Sequence, residues 1–128
     1  MKLLLDTSIL LWLAADLLPQ SAEVHVLDES NELYFSPASI WEIVIKRGLN
    51  RPDFEVDPSL LCSGLIDNGY EQLPITSRHV LLTGDLPPLH KDPFDRLLLA
   101  QSAAEGMTLL TSDCIMAKYP ARVILVGK

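Results

Sequence analysis

The sequence predicts an α/β protein with one parallel sheet, four to five strands wide, flanked by helices on both faces. Short and almost wholly apolar runs at residues 3–5 and 107–111 are typical of strands that are covered on both sides. Segments with helical spacing lie between the predicted strands. Because strands alternate with one or two helices along the chain, the strands are expected to run parallel.

The first half of the chain alternates in this way. Residues 3–5 form a strand that ends at Asp6, and Thr7 and Ser8 offer caps for a helix over residues 9–15. A second helix is predicted at 19–29 and a second strand at 33–35. Ser36 and Pro37 are preferred residues for a helix start, and the helix over 38–47 is expected to stop at Gly48.

The second half begins with a predicted loop at 50–57 and a helix at 59–66. Residues 70–75 are predicted as an edge strand, because Pro74 would remove a hydrogen bond from a central strand. A short helix at 77–82 and a loop at 84–92 follow. Asp92 and Pro93 then start a helix that Gly106 ends, before strands at 107–111 and 121–126 with one or two helical turns at 112–118 between them.

Length and composition are those of one compact domain over residues 1–128, with 48% hydrophobic and 21% charged residues. The net charge of −7 argues against binding nucleic acid by bulk attraction. A nucleic-acid substrate would require metal ions and a local basic rim.

Cysteine content favours the cytoplasm, because the two cysteines are too few for a disulfide framework and form no zinc-binding pattern. No apolar run reaches the roughly 18 residues that a membrane span needs, so no membrane partner is expected. Asp6 interrupts the leucines near the start, which argues against a signal peptide.

Four acids are expected to meet at one edge of the sheet. Asp6 and Asp113 each follow a buried strand, while Glu42 and Asp95 lie in the early turns of helices. Strand ends and the following helix starts share an edge in such a sheet. Three of these acids also have an ordinary explanation: Asp6 and Asp95 could cap helices, and Glu42 could pair with Lys46 four residues later.

Carboxylates brought this close repel one another unless a cation lies between them. Oxygen ligands favour Mg²⁺ or Mn²⁺ over zinc. Such a site suits phosphodiester hydrolysis, because a bound metal lowers the pKa of water and stabilises the leaving oxygen. The sequence has no convincing Ser-His-Asp or Cys-His arrangement, no GxxxxGK[ST] loop and no GxGxxG fingerprint.

The sequence resembles the PIN domain, specifically the VapC-type ribonuclease toxins of bacterial and archaeal toxin–antitoxin pairs. Four segments carry the resemblance in the family's order: LLLDTS at 3–8, SPASIWEI at 36–43, HKDPFDRLLLAQ at 90–101 and LLTSD at 109–113. The resemblance implies a PIN fold and Mg²⁺- or Mn²⁺-dependent endoribonuclease activity.

Site residues follow from the resemblance by motif position. It implies that Asp6, Asp95 and Asp113 hold the metal and that Glu42 orients or deprotonates the attacking water. Ser8 and Ser112 would support the acids, whereas Asp92 is interpreted as the helix N-cap. The resemblance also implies a homodimer and a cognate antitoxin whose tail lies over the active site.

Basic residues near the predicted site are the candidates for contacts with RNA or antitoxin. Arg96 could bind an RNA phosphate, an antitoxin carboxylate or an internal partner, and the local rim is expected to contain Lys46, Arg47, Arg51 and Lys91.

Two other functions stay open at this point. The same acids would serve a DNA or flap-type nuclease, and a catalytically silent PIN-like binding module would share the fold.

Overall fold

A computed structural model describes residues 1–49 and 55–127. Its centre is an all-parallel, five-stranded sheet with the strand order β3-β2-β1-β4-β5. The strands are β1 (Lys2–Leu5), β2 (Glu32–Phe35), β3 (Glu71–Gln72), β4 (Thr108–Thr111) and β5 (Val123–Leu125). The predicted fold class is therefore confirmed, including the helical crossovers that parallel neighbours require.

In the part of the chain that the structure describes, six α-helices connect and cover the strands. They are α1 (Thr7–Ala14), α2 (Gln20–Val26), α3 (Pro37–Gly48), α4 (Pro58–Asp67), α5 (Ser77–Leu82) and α6 (Pro93–Glu105). Short 3₁₀ turns occupy Thr83–Asp85 and Met116–Lys118. None of the helices in the described ranges combines the length and apolar character needed to cross a membrane.

The central strands explain why the sheet needs a helix layer on each side. Leu3 and Leu5 of β1 belong to one buried cluster with Ile9 and Phe35, whereas Leu4 belongs to another cluster on the opposite side. Side chains alternate between the two faces of a strand, so an unbroken apolar run supplies both clusters. The described residues form two hydrophobic cores, separated by the sheet.

Three details of the secondary structure differ from the sequence-based expectation. The first helix starts two residues earlier than predicted because Asp6, rather than Thr7 or Ser8, accepts its capping bond from Ile9 N–H. The predicted edge strand at 70–75 lies at the sheet edge but pairs only over Glu71–Gln72. The predicted turns at 112–118 reduce to a 3₁₀ turn, and most of the predicted loop at 50–57 lies outside the described residues.

Candidate active site

The carboxyl ends of β1 and β4 define the candidate active site. Asp6 follows β1 directly, and Asp113 lies two residues after β4, the neighbouring strand. Glu42 is in α3 and Asp95 is in the first turn of α6. These two helices pack together, and the residues adjacent to the two acids, Trp41 and Phe94, make an edge-to-face contact with ring centroids 5.3 Å apart.

Asp6 is both a helix cap and a buried acid, being only 3% exposed. Its Oδ1 accepts hydrogen bonds from Ser8 Oγ at 2.7 Å and Ile9 N at 3.1 Å, and its Oδ2 accepts one from the Thr111 hydroxyl. Burial raises the pKa of Asp6, these hydrogen bonds lower it, and the charge of Asp113 raises it further. The carboxylate is thus fixed in place but lacks a cation among the described residues that bond to it.

Glu42 is buried and held from both sides. One of its oxygens, Oε1, accepts a hydrogen bond from Thr7 Oγ1 at 2.7 Å, and Oε2 lies 2.8 Å from Lys46 Nζ. Thr7 also lies 3.0 Å from the Ser39 hydroxyl. The predicted Glu42–Lys46 ion pair is therefore present, but it stabilises a buried acid at the candidate site rather than an exposed helix face.

Asp95 is a partly buried acid whose ionised form is opposed by its surroundings. Burial, followed by the charges of Asp92 and Glu42, raises its pKa to about 7, with a further contribution from Asp6. His90 opposes this rise in the pKa. Because the charges of Glu42 and Asp6 act on Asp95, the start of α6 lies close to both α3 and the end of β1.

His90 lies between the two acids that come from the second half of the chain. Its Nε2 is 2.8 Å from Asp113 Oδ2 and 3.0 Å from Asp95 Oδ2. Ligand atoms of these three residues all lie within 4.8 Å of one another. The sequence alone gave His90 no single role: its spacing from His79 matches no helical metal-binding pair, and it could equally orient a loop or contact substrate.

Two serines and one aspartate support the acids or the helix that carries one of them. Ser112 Oγ lies 2.9 Å from Ser8 Oγ, which in turn donates to Asp6, so the two serines connect the ends of β1 and β4. Asp92 Oδ1 accepts hydrogen bonds from Phe94 N at 2.8 Å and Asp95 N at 3.2 Å. Asp92 is therefore the cap of α6, and its charge also acts on Asp95.

Arg96 binds the loop that precedes its own helix. Its guanidinium donates to the backbone oxygens of Thr83 at 2.6 Å and Pro87 at 2.9 Å, with longer contacts to Leu86, His90 and Tyr119. Within residues 1–49 and 55–127 it pairs with no carboxylate, so the internal partner considered for Arg96 is a set of backbone carbonyls.

The predicted basic rim is only partly assembled. Lys91 is exposed on the loop before α6, but Lys46 is paired with Glu42. Arg47 lies 3.8 Å from Asp57, on an exposed side of α3. Arg51 lies outside the described residues.

A divalent cation fits the chemistry of this donor set. Asp6, Asp95 and Asp113 supply carboxylate oxygens, which hard cations prefer, and burial together with like charge raises the pKa of both Asp6 and Asp95. A cation at these oxygens would remove that repulsion. The identity of the metal is not fixed by carboxylates alone, because both Mg²⁺ and Mn²⁺ accept them.

An all-parallel α/β domain with an acidic cluster at its strand ends defines the class of protein. The PIN domain family model matches residues 3–121, which is nearly the whole chain. The chain therefore belongs to the PIN domain family, as its sequence motifs indicated.

Solved structures with the same fold include toxin–antitoxin complexes. The chain is similar to a structure of VapBC2 from Rickettsia felis bound to a promoter DNA fragment, with TM-score 0.76, 19% identity and coverage of 99% of this chain and 100% of that one. It is also similar to DNA-bound VapBC from Salmonella typhimurium, with TM-score 0.68, 15% identity and coverage of 97% of each chain. A third similar structure is VapBC-5 from Mycobacterium tuberculosis, with TM-score 0.63, 16% identity and coverage of 99% of this chain and 98% of that one. No curated protein sequence matches the chain.

Proposed function

We propose that this protein is a metal-dependent endoribonuclease and the toxin of a toxin–antitoxin pair. The observation that carries the proposal is the convergence of Asp6, Glu42, Asp95 and Asp113 at the strand ends of a PIN domain, with the pKa of Asp95 raised to about 7. Lys46 is paired with Glu42, but like charges among the other acids still raise the pKa of Asp6 and Asp95, so this partly buried cluster is costly to fold. Selection for a bound divalent ion, Mg²⁺ or Mn²⁺, explains why such a cluster exists.

The proposed chemistry is hydrolysis of an RNA phosphodiester by water. Asp6, Asp95 and Asp113 would hold the ion, which when bound lowers the pKa of water and offsets charge on the phosphoryl group. Glu42 orients the attacking water or takes its proton. The new bond from water oxygen to phosphorus replaces the bond to the leaving ribose oxygen, which then takes up a proton.

Glu42 is suited to this role by its fixed position. The Thr7 hydroxyl and the Lys46 ammonium each engage one of its oxygens, at 2.7 and 2.8 Å. Neither contact uses all the lone pairs of a carboxylate, so Glu42 retains the ability to accept a further hydrogen bond from water. Ser8 and Thr111 donate hydrogen bonds to Asp6 in a comparable way, and Ser112 contacts Ser8.

Cleavage of total cellular RNA by the purified protein tests the enzymatic part. We expect cleavage with Mg²⁺ or Mn²⁺, none with excess EDTA, and none by Asp6→Asn or Asp95→Asn variants that remain folded. Asp57→Asn is a matched control, because Asp57 also caps a helix but lies outside the acidic cluster. Full activity in EDTA would refute the mechanism, and cleavage of single-stranded DNA in preference to RNA would make the protein a DNA nuclease.

The toxin role is proposed from family and fold together. The solved structures of this fold include VapBC complexes from several bacteria. Induced expression in the cytoplasm of a bacterial host is expected to arrest growth. A small protein encoded beside the gene is expected to relieve the arrest. Normal growth at a level of protein that cleaves RNA in vitro would argue against the toxin role.

An apolar groove supports an antitoxin partner. The groove has a volume of about 680 Å³ and lies between α1, α2 and α4, where Leu13, Val26, Leu27, Leu60 and Leu61 line it. Leu27 and Leu60 are 68% and 71% exposed, which is unusual for leucines that face a concave surface. An apolar antitoxin segment in this groove would cover them, while the segment's tail continues towards the acids.

A homodimer is supported by the exposed side of α3. Trp41, Val44 and Ile45 are 60%, 49% and 40% exposed, and their spacing places them on one helix face. Burying this face against a second copy would bring two candidate active sites into one assembly. Analytical ultracentrifugation tests this, with Val44→Glu expected to give a monomer and Val24→Glu, on exposed α2, expected to leave the dimer intact.

RNA contacts are proposed for Lys91, Lys46 and Arg96 in different ways. Lys91 is exposed near the acids and is the best placed of the three for a phosphate contact. Lys46 would act mainly through Glu42, and Arg96 mainly through the loop that it binds. Lys91→Glu is therefore expected to weaken RNA binding and to reduce its dependence on salt concentration more than Lys118→Glu does.

A further inference from the structure

We propose that His90 is a positioning residue, whose Nε2–H holds the carboxylates of Asp95 and Asp113 together and is itself held in place by Arg96 and Tyr119. This inference rests on the proposed role of those two acids as metal ligands. It assigns a role to the loop before α6, which the family motifs by themselves leave undefined.

The orientation of the His90 ring follows from its hydrogen bonds. Nδ1 accepts a hydrogen bond from the backbone N–H of Asp92 at 3.2 Å, so that nitrogen carries the lone pair. The proton of the neutral ring is then on Nε2, which lies 2.8 Å from Asp113 Oδ2 and 3.0 Å from Asp95 Oδ2. A charged ring would place a second N–H against the N–H of Asp92.

This tautomer distinguishes a positioning role from direct metal binding. A histidine that binds metal through Nε2 must carry its proton on Nδ1, where it usually donates to an oxygen. In this protein Nδ1 meets a donor instead, the N–H of Asp92. His90 is therefore built to donate to the acids and not to replace one of them as a ligand.

The two acids need such a connection because they come from separate elements. Asp95 lies at the start of α6 and Asp113 follows β4, so nothing in the local chain fixes the distance between them. Asp113 Oδ1 already accepts a hydrogen bond from Ile115 N at 2.8 Å, which leaves Oδ2 to face His90. A shared N–H sets the spacing of two like charges that would otherwise move apart.

Arg96 and Tyr119 hold the backbone of His90. The Tyr119 hydroxyl accepts a hydrogen bond from His90 N at 2.7 Å, and Tyr119 is only 4% exposed. Arg96 Nη1 contacts the same hydroxyl at 3.4 Å and His90 O at 3.5 Å, while stronger bonds to Thr83 and Pro87 tie down the rest of the loop. The position of the imidazole is thus connected to both α6 and the segment after β4.

Nitrogen NMR of the histidine rings tests the tautomer directly. In ¹⁵N-histidine protein, with the His90 signals assigned by comparison with His90→Gln, we expect the Nε2–H form both without metal and with saturating Mg²⁺. A change to the Nδ1–H form when Mg²⁺ or Mn²⁺ binds would show that His90 is a ligand and would overturn the inference.

Calorimetric titration with Mg²⁺ tests the consequence for the acids. His90→Ala is expected to weaken Mg²⁺ binding by about 10-fold or more, as loss of a residue that orients metal ligands commonly does. His90→Gln, which can present an amide N–H to the acids, is expected to recover most of the affinity. His25→Ala, remote from the site on α2, is the matched control and is expected to bind as the wild type does.

Tyr119→Phe tests the support for His90, because it removes the hydroxyl and keeps the ring. It is expected to weaken Mg²⁺ binding alone, but to add little in the His90→Ala background, since both changes act through one imidazole. Equal Mg²⁺ affinity in wild type and folded His90→Ala would refute the inference. These measurements need no RNA, so a wild type that binds Mg²⁺ but cleaves no RNA would refute only the proposed function.

Discussion

Replacing Asp95 with asparagine is expected to stabilise the metal-free protein, although it removes a proposed metal ligand. Burial and the charges of Asp92 and Glu42 raise the pKa of Asp95 from 3.8 to about 7. At pH 8 the native protein must therefore hold an ionised carboxyl that its surroundings oppose. Asparagine has nearly the same shape, carries no charge and can still accept a hydrogen bond from His90.

The pH dependence has a defined sign. The unfolded chain ionises Asp95 near pH 3.8, whereas the native state retains the proton until the pH reaches about 7. The native state therefore binds more protons in this window, and stability falls as the pH rises from about 4 to about 7. Below pH 4 both states are protonated and the penalty disappears.

The magnitude follows from the same pKa values. Raising the pKa from 3.8 to about 7 corresponds to about 4 kcal/mol against the ionised form. Hydration of a side chain that is 17% exposed, together with local relaxation, reduces this to about 1–3 kcal/mol at pH 8. The melting temperature of Asp95→Asn is then expected to exceed that of the wild type by about 4–12 °C.

Thermal unfolding followed by circular dichroism in EDTA measures this difference between pH 4 and pH 8. The advantage of Asp95→Asn should narrow as the pH falls, and Asp57→Asn should show no comparable change with pH. Added Mg²⁺ is expected to stabilise the wild type more than Asp95→Asn. The reasoning would be refuted if Asp95→Asn were less stable than the wild type at pH 8. It would also be refuted if the difference in melting temperature between the two proteins did not depend on pH.

Three further predictions concern substitutions of individual residues. Thr7→Val removes the hydroxyl 2.7 Å from Glu42 and should cost about 1–3 kcal/mol in urea unfolding, because it leaves a buried oxygen without its donor; Thr83→Val, on the exposed 3₁₀ turn, should cost less. Gly64→Ala should raise stability by about 0.5–1 kcal/mol, whereas Gly106→Ala should lower it by about 1 kcal/mol, since both sites have room for a methyl group but only Gly106 has a positive φ, of 66°. Identical effects at the two glycines would contradict this account. Asp6→Asn should abolish RNA cleavage but leave a folded protein, and retained cleavage would remove Asp6 from the mechanism.

Local sequence signals predicted much of the fold, because buried strands and helix ends are set largely by residues that are close together along the chain. The wholly apolar run before Asp6 indicated a strand buried on both faces, and the structure places it at the centre of the sheet. Asp92, Pro93 and Gly106 marked the two ends of α6, and the structure has the helix between them. The β3 strand was predicted at an edge from Pro74, but its length depended on how far β2 could pair with it.

The site was less completely determined by its local patterns. Motif positions indicated Asp6, Glu42, Asp95 and Asp113, and the structure brings these acids within range of one another's charges. Their catalytic roles stay predictions. From local patterns, Asp6 could be either a helix cap or a site acid, and Glu42 could be either half of an ion pair or a site acid. In the structure Asp6 caps α1 and Glu42 pairs with Lys46, and both residues also lie at the candidate site.

What the sequence by itself determined was the parallel α/β class, the helix ends and the four acids, since apolar runs, capping residues and motif order are all written along the chain. Only the tertiary structure decided that His90 lies between Asp95 and Asp113 and that Arg96 binds a loop rather than a carboxylate. The physical reason is distance along the chain. Hydrogen bonds between side chains from separate elements depend on where the sheet and helices bring them, and no local pattern records that position.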